Sequence, residues 1–268
     1  MSVAFIAVIS ALLYLAASGV QLLGMSQRRE QTSRTVIGLG LAALLGHAVI
    51  AYDSVVGEGG LDLGFYKVSA LIFLLVNVAC IVALFRRPLQ NLLVVLFPLS
   101  AVSVLVSTFG PSTSALSDNT MGTGMTVHIG SSILAYAVLT LAAIQSAVVA
   151  VQDHQLKLRH TRGIIQVLPP LQLMETMLFE LLWVGVIMLT IAIVSGAIFI
   201  DDLFAQHLVH KTVLTILAWA LFSLLLWGHY QLGWRSQTAV RLTLAGFALL
   251  MLAFFGSKLV LELVLNRP

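Results

Sequence analysis

Polar residues in this chain cluster between long apolar runs, and the runs set the architecture. Eight stretches, about 2–23, 35–53, 67–85, 90–109, 126–151, 178–200, 211–230 and 239–264, hold mostly apolar and small residues. A helix of about 20 such residues crosses a hydrocarbon core of ~30 Å. The runs lack the period-2 alternation of membrane β-strands, and in lipid a backbone must satisfy its own hydrogen bonds, which leaves helices. The pattern therefore predicts an all-α, polytopic membrane helix bundle of about eight transmembrane helices. With no long linker, low-complexity tract or soluble insertion, residues 1–268 read as one transmembrane domain.

Composition supports this class. Hydrophobic residues make up 59% of the chain and charged residues 9%, with a mean hydropathy of +1.02, whereas soluble domains carry about 25% charged residues. The first run, SVAFIAVISALLYLAASGVQLL, has no preceding basic residue and is longer than a signal-peptide apolar region, so it is kept as a membrane helix despite its AAS sequence.

Charge adds orientation. Arg28, Arg29 and Arg34, Arg86 and Arg87, Lys157, Arg159 and Arg162, and Arg235 and Arg241 occupy four alternate connections, which hold ten of the fourteen basic residues. Those connections are expected in the cytoplasm. Asp53, Glu58, Asp62, Asp118, Asp201 and Asp202 mark the other side. Both termini are then expected on the outer, periplasmic side of a bacterial inner membrane. The net charge of +3 reflects this asymmetry and gives no argument for nucleic acid. No dense basic cluster for anionic lipid is present. The single cysteine, Cys80, lies inside an apolar run, which excludes an intrachain disulfide and favours packing.

Two connections stand out. DHQLKLRHTRGIIQVLPPLQLMET contains Pro169-Pro170 and a mixed segment that either lies along the interface or is a solvated loop. GPSTSALSDNTMGTGM is rich in Gly, Ser and Thr and is expected to be mobile unless something binds against it. No internal repeat is visible, which argues against an inverted-repeat transporter.

Ionisable side chains inside membrane helices are costly and mark functional sites by default. Histidine dominates here, at 47, 128, 154, 160, 207, 210 and 229. His154 and His160 sit in a basic connection and read as solvated. His47, in LAALLGHAVIAYD, lies about six residues from the outer end of its helix, ~9 Å deep. It is either a core ring bonded to a neighbouring helix or a ligand, since neutral imidazole binds metals and haem iron. His128, in GMTVHIGSSILAYA, starts its helix on the same outer side. Gly46, Gly130, Ser131 and Ser132 offer small side chains past which a flat macrocycle can approach. His207 and His210, three apart in DDLFAQHLVHK, share a face if that segment is helical. They are either solvated or a roof over an outer site. His229, in LLLWGHYQLGWR, lies eighteen residues beyond Lys211, ~27 Å toward the cytoplasmic side, too far to share one iron with His128. Trp227 and Trp234 fit an interfacial aromatic belt, and Lys258 and Glu262 can pair at i,i+4.

The stretches LLGHAVIAYD, VHIGSSILAYAVLTLAAIQ, PPLQLMETMLF, HKTVLTILAWALFSLLLWGHYQLGWR and LAFFGSKLV, spread over nearly the whole chain, together resemble the cytochrome c assembly family of membrane haem-handling proteins, with its CcsA-, CcmC- and HemX-like members. The resemblance implies haem b as cofactor. It points to His128 as an external haem ligand and to His229 as the intramembrane histidine near the cytoplasmic side. Haem-attaching members carry a tryptophan-rich external motif ahead of the helix equivalent to 211–230 and a second external histidine after the last helix pair. Here IDDLFAQHLVHKT retains Lys211 without a tryptophan, and AFFGSKLVLELVLNRP has no histidine. His47 is a substitute outer ligand inferred from position alone, which would make His47 and His128 the iron-binding pair.

The expected function is haem binding or handling linked to cytochrome c biogenesis, without covalent attachment of its own. Haem, the lipid bilayer and other cytochrome c maturation membrane subunits are the expected partners. A cofactor-free regulatory or scaffold protein that keeps the family fold is the alternative, and a small-solute transporter a weaker one. HExxH, P-loop, GxSxG and dinucleotide motifs are missing, so no enzyme activity is expected.

Overall fold

The computed structural model describes residues 3–27, 34–57, 60–62, 64–85, 87–110, 116–117, 122–159, 166–199 and 209–256. Eight α-helices account for most of them: α1 (Val3–Ser26), α2 (Arg34–Val55), α3 (Phe65–Leu84), α4 (Leu93–Phe109), α5 (Thr123–Lys157), α6 (Leu171–Phe199), α7 (Val209–Leu232) and α8 (Ser236–Met251), the last continuing into a π-helical turn at Leu252–Gly256. Seven spans are long and apolar enough to cross a membrane, α8 counted with its π turn, while α4 is shorter at 17 residues. Large apolar side chains such as Leu12, Leu45 and Ile198 are exposed, as expected of faces that meet lipid. His160, His207, Lys258, Glu262 and most of the 110–125 connection lie outside the described residues.

The sequence pattern gave no hint of strands, yet the structure has a small antiparallel sheet: β1 (Val56–Gly57), β2 (Gly60–Asp62) and β3 (Leu116–Ser117), in the order β1-β2-β3. Val56 faces Leu61, and Asp62 faces Leu116. Strands of two or three residues are too short to show alternation. Part of the connection expected to be mobile thus pairs with the α2–α3 connection.

The chain forms two compact units, one of residues 1–119 with 159–169 and one of residues 120–158 with 170–268. No linker composition marks the division.

In the first unit α1 packs on α2 and α4, and α3 on α2 and α4. Between helices in lipid the hydrophobic drive is weak, so close packing of small residues and interhelical hydrogen bonds carry association. A Cβ at Gly46 would run into the Ser10 hydroxyl, and one at Gly40 into the Phe97 ring. Gly46 therefore serves the approach of α2 to α1. Pro98 sits inside α4 and cannot donate to the Val94 carbonyl one turn earlier. The Ser18 hydroxyl from α1 donates to that carbonyl instead, at 3.0 Å. The Asn77 amide on α3 donates to Ser100 on α4, at 2.5 Å.

In the second unit three antiparallel contacts fix the register. Between α5 and α6, His128 meets Ala192, a Cβ at Gly185 would strike Leu139, and the Gln145 amide donates to the Met174 carbonyl at 3.0 Å. Between α6 and α7, the Trp219 indole donates to Thr190 at 2.9 Å and the Trp183 indole to Tyr230 at 3.1 Å. Between α5 and α8, Tyr136 donates to the Leu250 carbonyl at 2.8 Å and Gln237 to Asp153 at 2.7 Å. Pro169-Pro170 precedes α6, and the Pro170 carbonyl accepts from Leu173 and Met174, so PPLQLMET opens the helix. The Glu175 carboxylate takes the Ser236 N–H at 2.8 Å, placing an anion at the N-terminus of α8.

Candidate functional site

Chemically, the candidate histidines differ by which ring nitrogen is committed. A carbonyl only accepts, so a ring nitrogen bonded to one must carry the proton.

His47, on α2, is fully buried, and both nitrogens are engaged. Nε2 donates to the Ala70 carbonyl on α3 at 3.0 Å, which leaves Nδ1 to accept the Tyr14 hydroxyl from α1 at 3.2 Å. Tyr14 is itself fully buried, edge-on to His47 with ring centroids 5.9 Å apart, and 5.3 Å from Phe97 on α4. The ring thus ties three helices of the first unit together. A bond from Nε2 to iron would require release of the Ala70 carbonyl.

His128 stands in the second turn of α5, half-buried, and its Nδ1 donates to the Ala192 carbonyl of α6 at 2.8 Å. Nε2 is then the lone-pair nitrogen, and it has no hydrogen-bond partner among the described residues. Gly196, one turn further along α6, makes room for the ring: a Cβ there would sit 2.9 Å from Cε1 and 3.0 Å from Nδ1. Ser131 and Ser132 turn their hydroxyls back onto the His128 carbonyl at 3.1 and 2.7 Å. Gly130 faces open space.

His229 lies in the last turn of α7, also half-buried, and repeats the chemistry with locally supplied parts. Gly233, at φ +68°, reverses the chain. The Trp234 N–H folds back to the Gly228 carbonyl at 3.2 Å, and its own carbonyl accepts from His229 Nδ1 at 2.8 Å. Gly228 is required because a Cβ there would strike the Trp234 indole. The imidazole stacks on Phe179 of α6, with centroids 3.5 Å apart and planes 17° from parallel. Nε2 again has no hydrogen-bond partner among the described residues.

Helix α6 works as a ruler for the two rings. His128 meets it at Ala192 and His229 meets it at Phe179. Thirteen positions at 1.5 Å each separate those levels by roughly 20 Å. They are two sites, one toward each end of the unit. His210 is exposed in the first turn of α7 and touches neither ring, and His154 is an exposed residue near the end of α5. His47 belongs to the first unit and His128 to the second.

The chemistry of the donor set fits haem at His128 and His229. An axial imidazole needs a neutral ring with one free lone pair, and a metal-bound histidine characteristically donates its other N–H to a carbonyl or carboxylate, which sets tautomer and orientation. Both rings meet that description, and His47 as arranged does not. Among the described residues no three His, Cys, Asp or Glu side chains gather as a protein-only metal centre. The sequence had pointed to all three rings, but not to the Ala192 carbonyl, Gly196 or Phe179, which are distant in the chain. Only the GHYQLGW turn left a local signal, in its glycines.

Comparison with known proteins places these features in a family. The chain is 32% identical over 243 residues to inner membrane protein YpjD of Escherichia coli strain K12, covering 90% of this chain and 92% of that protein. It is 30% identical over 147 residues to a 28.8 kDa protein from the nifR3-like 5' region of Azospirillum brasilense, covering 54% of each. It is 28% identical over 159 residues to protein HemX of Brevibacillus brevis, covering 58% of each. No solved structure matches. The family model described as cytochrome C assembly protein matches residues 2–265, nearly the whole chain, and the protein therefore belongs to the cytochrome c assembly protein family.

Proposed function

We propose that this protein binds and handles haem in a bacterial inner membrane, in the service of cytochrome c biogenesis and without attaching haem covalently itself. The supporting observation is the shared state of His128 and His229: each ring gives its Nδ1 proton to a backbone carbonyl and keeps Nε2 open. Haem, when bound, would supply an iron centre able to take an imidazole nitrogen, and His128 and His229 are the residues that would hold it. The protein's part is to hold each imidazole in the ligating tautomer, with Ala192 and Gly196 positioning one ring and Trp234 and Phe179 the other.

The levels on α6 suit two haem stations rather than one iron shared between the rings. The basic connections favour the His229 end on the cytoplasmic side and the His128 end outside. This order suits inward receipt and outward display. His47 is assigned to the packing of the first unit. The name of the Escherichia coli relative supports the membrane assignment, and the family supports other cytochrome c maturation membrane subunits as partners.

The test is the absorption spectrum of the protein purified from haem-replete cells. A Soret band that weakens in His128→Ala and in His229→Ala is the expected result. Colourless wild-type protein would refute the proposal and favour a cofactor-free scaffold, a reading motivated by the lack of tryptophan in IDDLFAQHLVHKT.

A further inference from the structure

A second polar feature lies between α5 and α8, separate from both histidines. Serine and threonine hydroxyls inside helices usually donate back to a carbonyl one turn earlier. Ser100, Thr108, Thr140, Thr190 and Ser195 all do so here. Ser146 on α5 and Thr243 on α8 do not. Both are fully buried, and neither hydroxyl has a hydrogen-bond partner among the described residues.

Their positions relate them. Helices α5 and α8 run antiparallel, pinned by Tyr136 to Leu250 at one end and Asp153 to Gln237 at the other. Counting from the Asp153–Gln237 pin brings Ser146 and Thr243 to within one residue of the same level, and counting from the Tyr136–Leu250 pin to within three. Gln145 lies beside Ser146 in the chain, fully buried, its amide nitrogen held by the Met174 carbonyl while its Oε1 has no partner among the described residues. Three buried oxygens from two helices therefore stand within about one helical turn of each other in depth, and the two hydroxyls have given up their usual backbone partner without reaching each other.

A buried hydroxyl left unpaired costs roughly 1–3 kcal/mol, and buried waters typically satisfy such groups where two to four polar partners converge. All three groups here are neutral, each accepts, and two also donate, which matches water rather than an ion. We propose that Ser146 and Thr243 bridge an internal water in the α5–α8 seam, with Gln145 Oε1 as a further acceptor. The site is a fixed hydration point inside the membrane domain. It does not depend on haem.

The experiment is a double-mutant cycle on the full-length protein in detergent, reading the thermal midpoint. Ser146→Ala and Thr243→Val are each expected to lower it, and the double variant is expected to fall little further, because either change already disrupts the shared water. Midpoints that stay the same or rise in the single variants would mean dry hydroxyls and overturn the proposal, as would fully additive losses. Should a variant fail to fold, solid-state NMR of wild-type protein in bilayers keeps the question answerable. Magnetisation transfer from water protons to the Thr243 side chain is expected, and its absence would reject the site.

Discussion

Tyr14 donates to Nδ1 of His47 at 3.2 Å, and with Ala70 on the other nitrogen this bond fixes His47 in the tautomer opposite to that of His128 and His229. Tyr14→Phe leaves a buried imidazole nitrogen unpaired. We expect a stability loss of about 1–3 kcal/mol, read as a lower thermal midpoint, with haem per folded molecule unchanged. A loss of haem at unchanged stability would return His47 to the ligand set.

Ser18 and Pro98 form a compensating pair through the Val94 carbonyl. Removing the hydroxyl in Ser18→Ala is expected to cost about 1 kcal/mol. In a Pro98→Ala background residue 98 regains its N–H, the carbonyl is satisfied within α4, and the same substitution is expected to cost much less. Equal costs in both backgrounds, measured by chemical or thermal unfolding, would show that Ser18 acts otherwise.

Gly196 and Gly130 give a matched contrast. A methyl at 196 presses on the His128 ring, whereas one at 130 meets nothing within 4 Å. Gly196→Ala is expected to displace the imidazole from the Ala192 carbonyl and reduce haem content severalfold in a protein that still folds. Gly130→Ala is expected to keep haem and gain up to about 1 kcal/mol of helix propensity. Similar haem content in the two variants would show that ring placement at His128 is irrelevant.

Gly228→Ala makes the corresponding test at the other ring, because its methyl would push the Trp234 indole and with it the carbonyl that orients His229. The haem signal assigned to His229 is expected to fall while that of His128 persists. An unaltered spectrum would separate the turn from the ligand.

The apolar runs located the helices well because length and hydropathy are local properties. The expected 2–23 became Val3–Ser26, and 35–53 became Arg34–Val55. Helix ends deviated where amphipathic residues extend a helix past the apolar stretch: α5 continues to Lys157, and α6 begins at Leu171, directly after two prolines. At the other extreme, α4 begins only at Leu93, after the turn that follows Pro88. What stayed illegible was tertiary. Which nitrogen of His47 carries its proton depends on the Ala70 carbonyl, twenty-three residues away, and His128 is set by a carbonyl sixty-four residues on. No local pattern encodes partners of that kind. The residue type and its depth marked the histidines, and the packing decided which of them keep a lone pair.

Haem-to-protein ratio tests the two-station reading most directly, measured for purified wild type, His128→Ala, His229→Ala and the double variant, each with and without added imidazole. Partial loss in each single variant, near-complete loss in the double and recovery with imidazole are expected if each Nε2 binds its own haem. An unchanged ratio in the double variant, or full loss in either single one, would contradict two separate histidine stations.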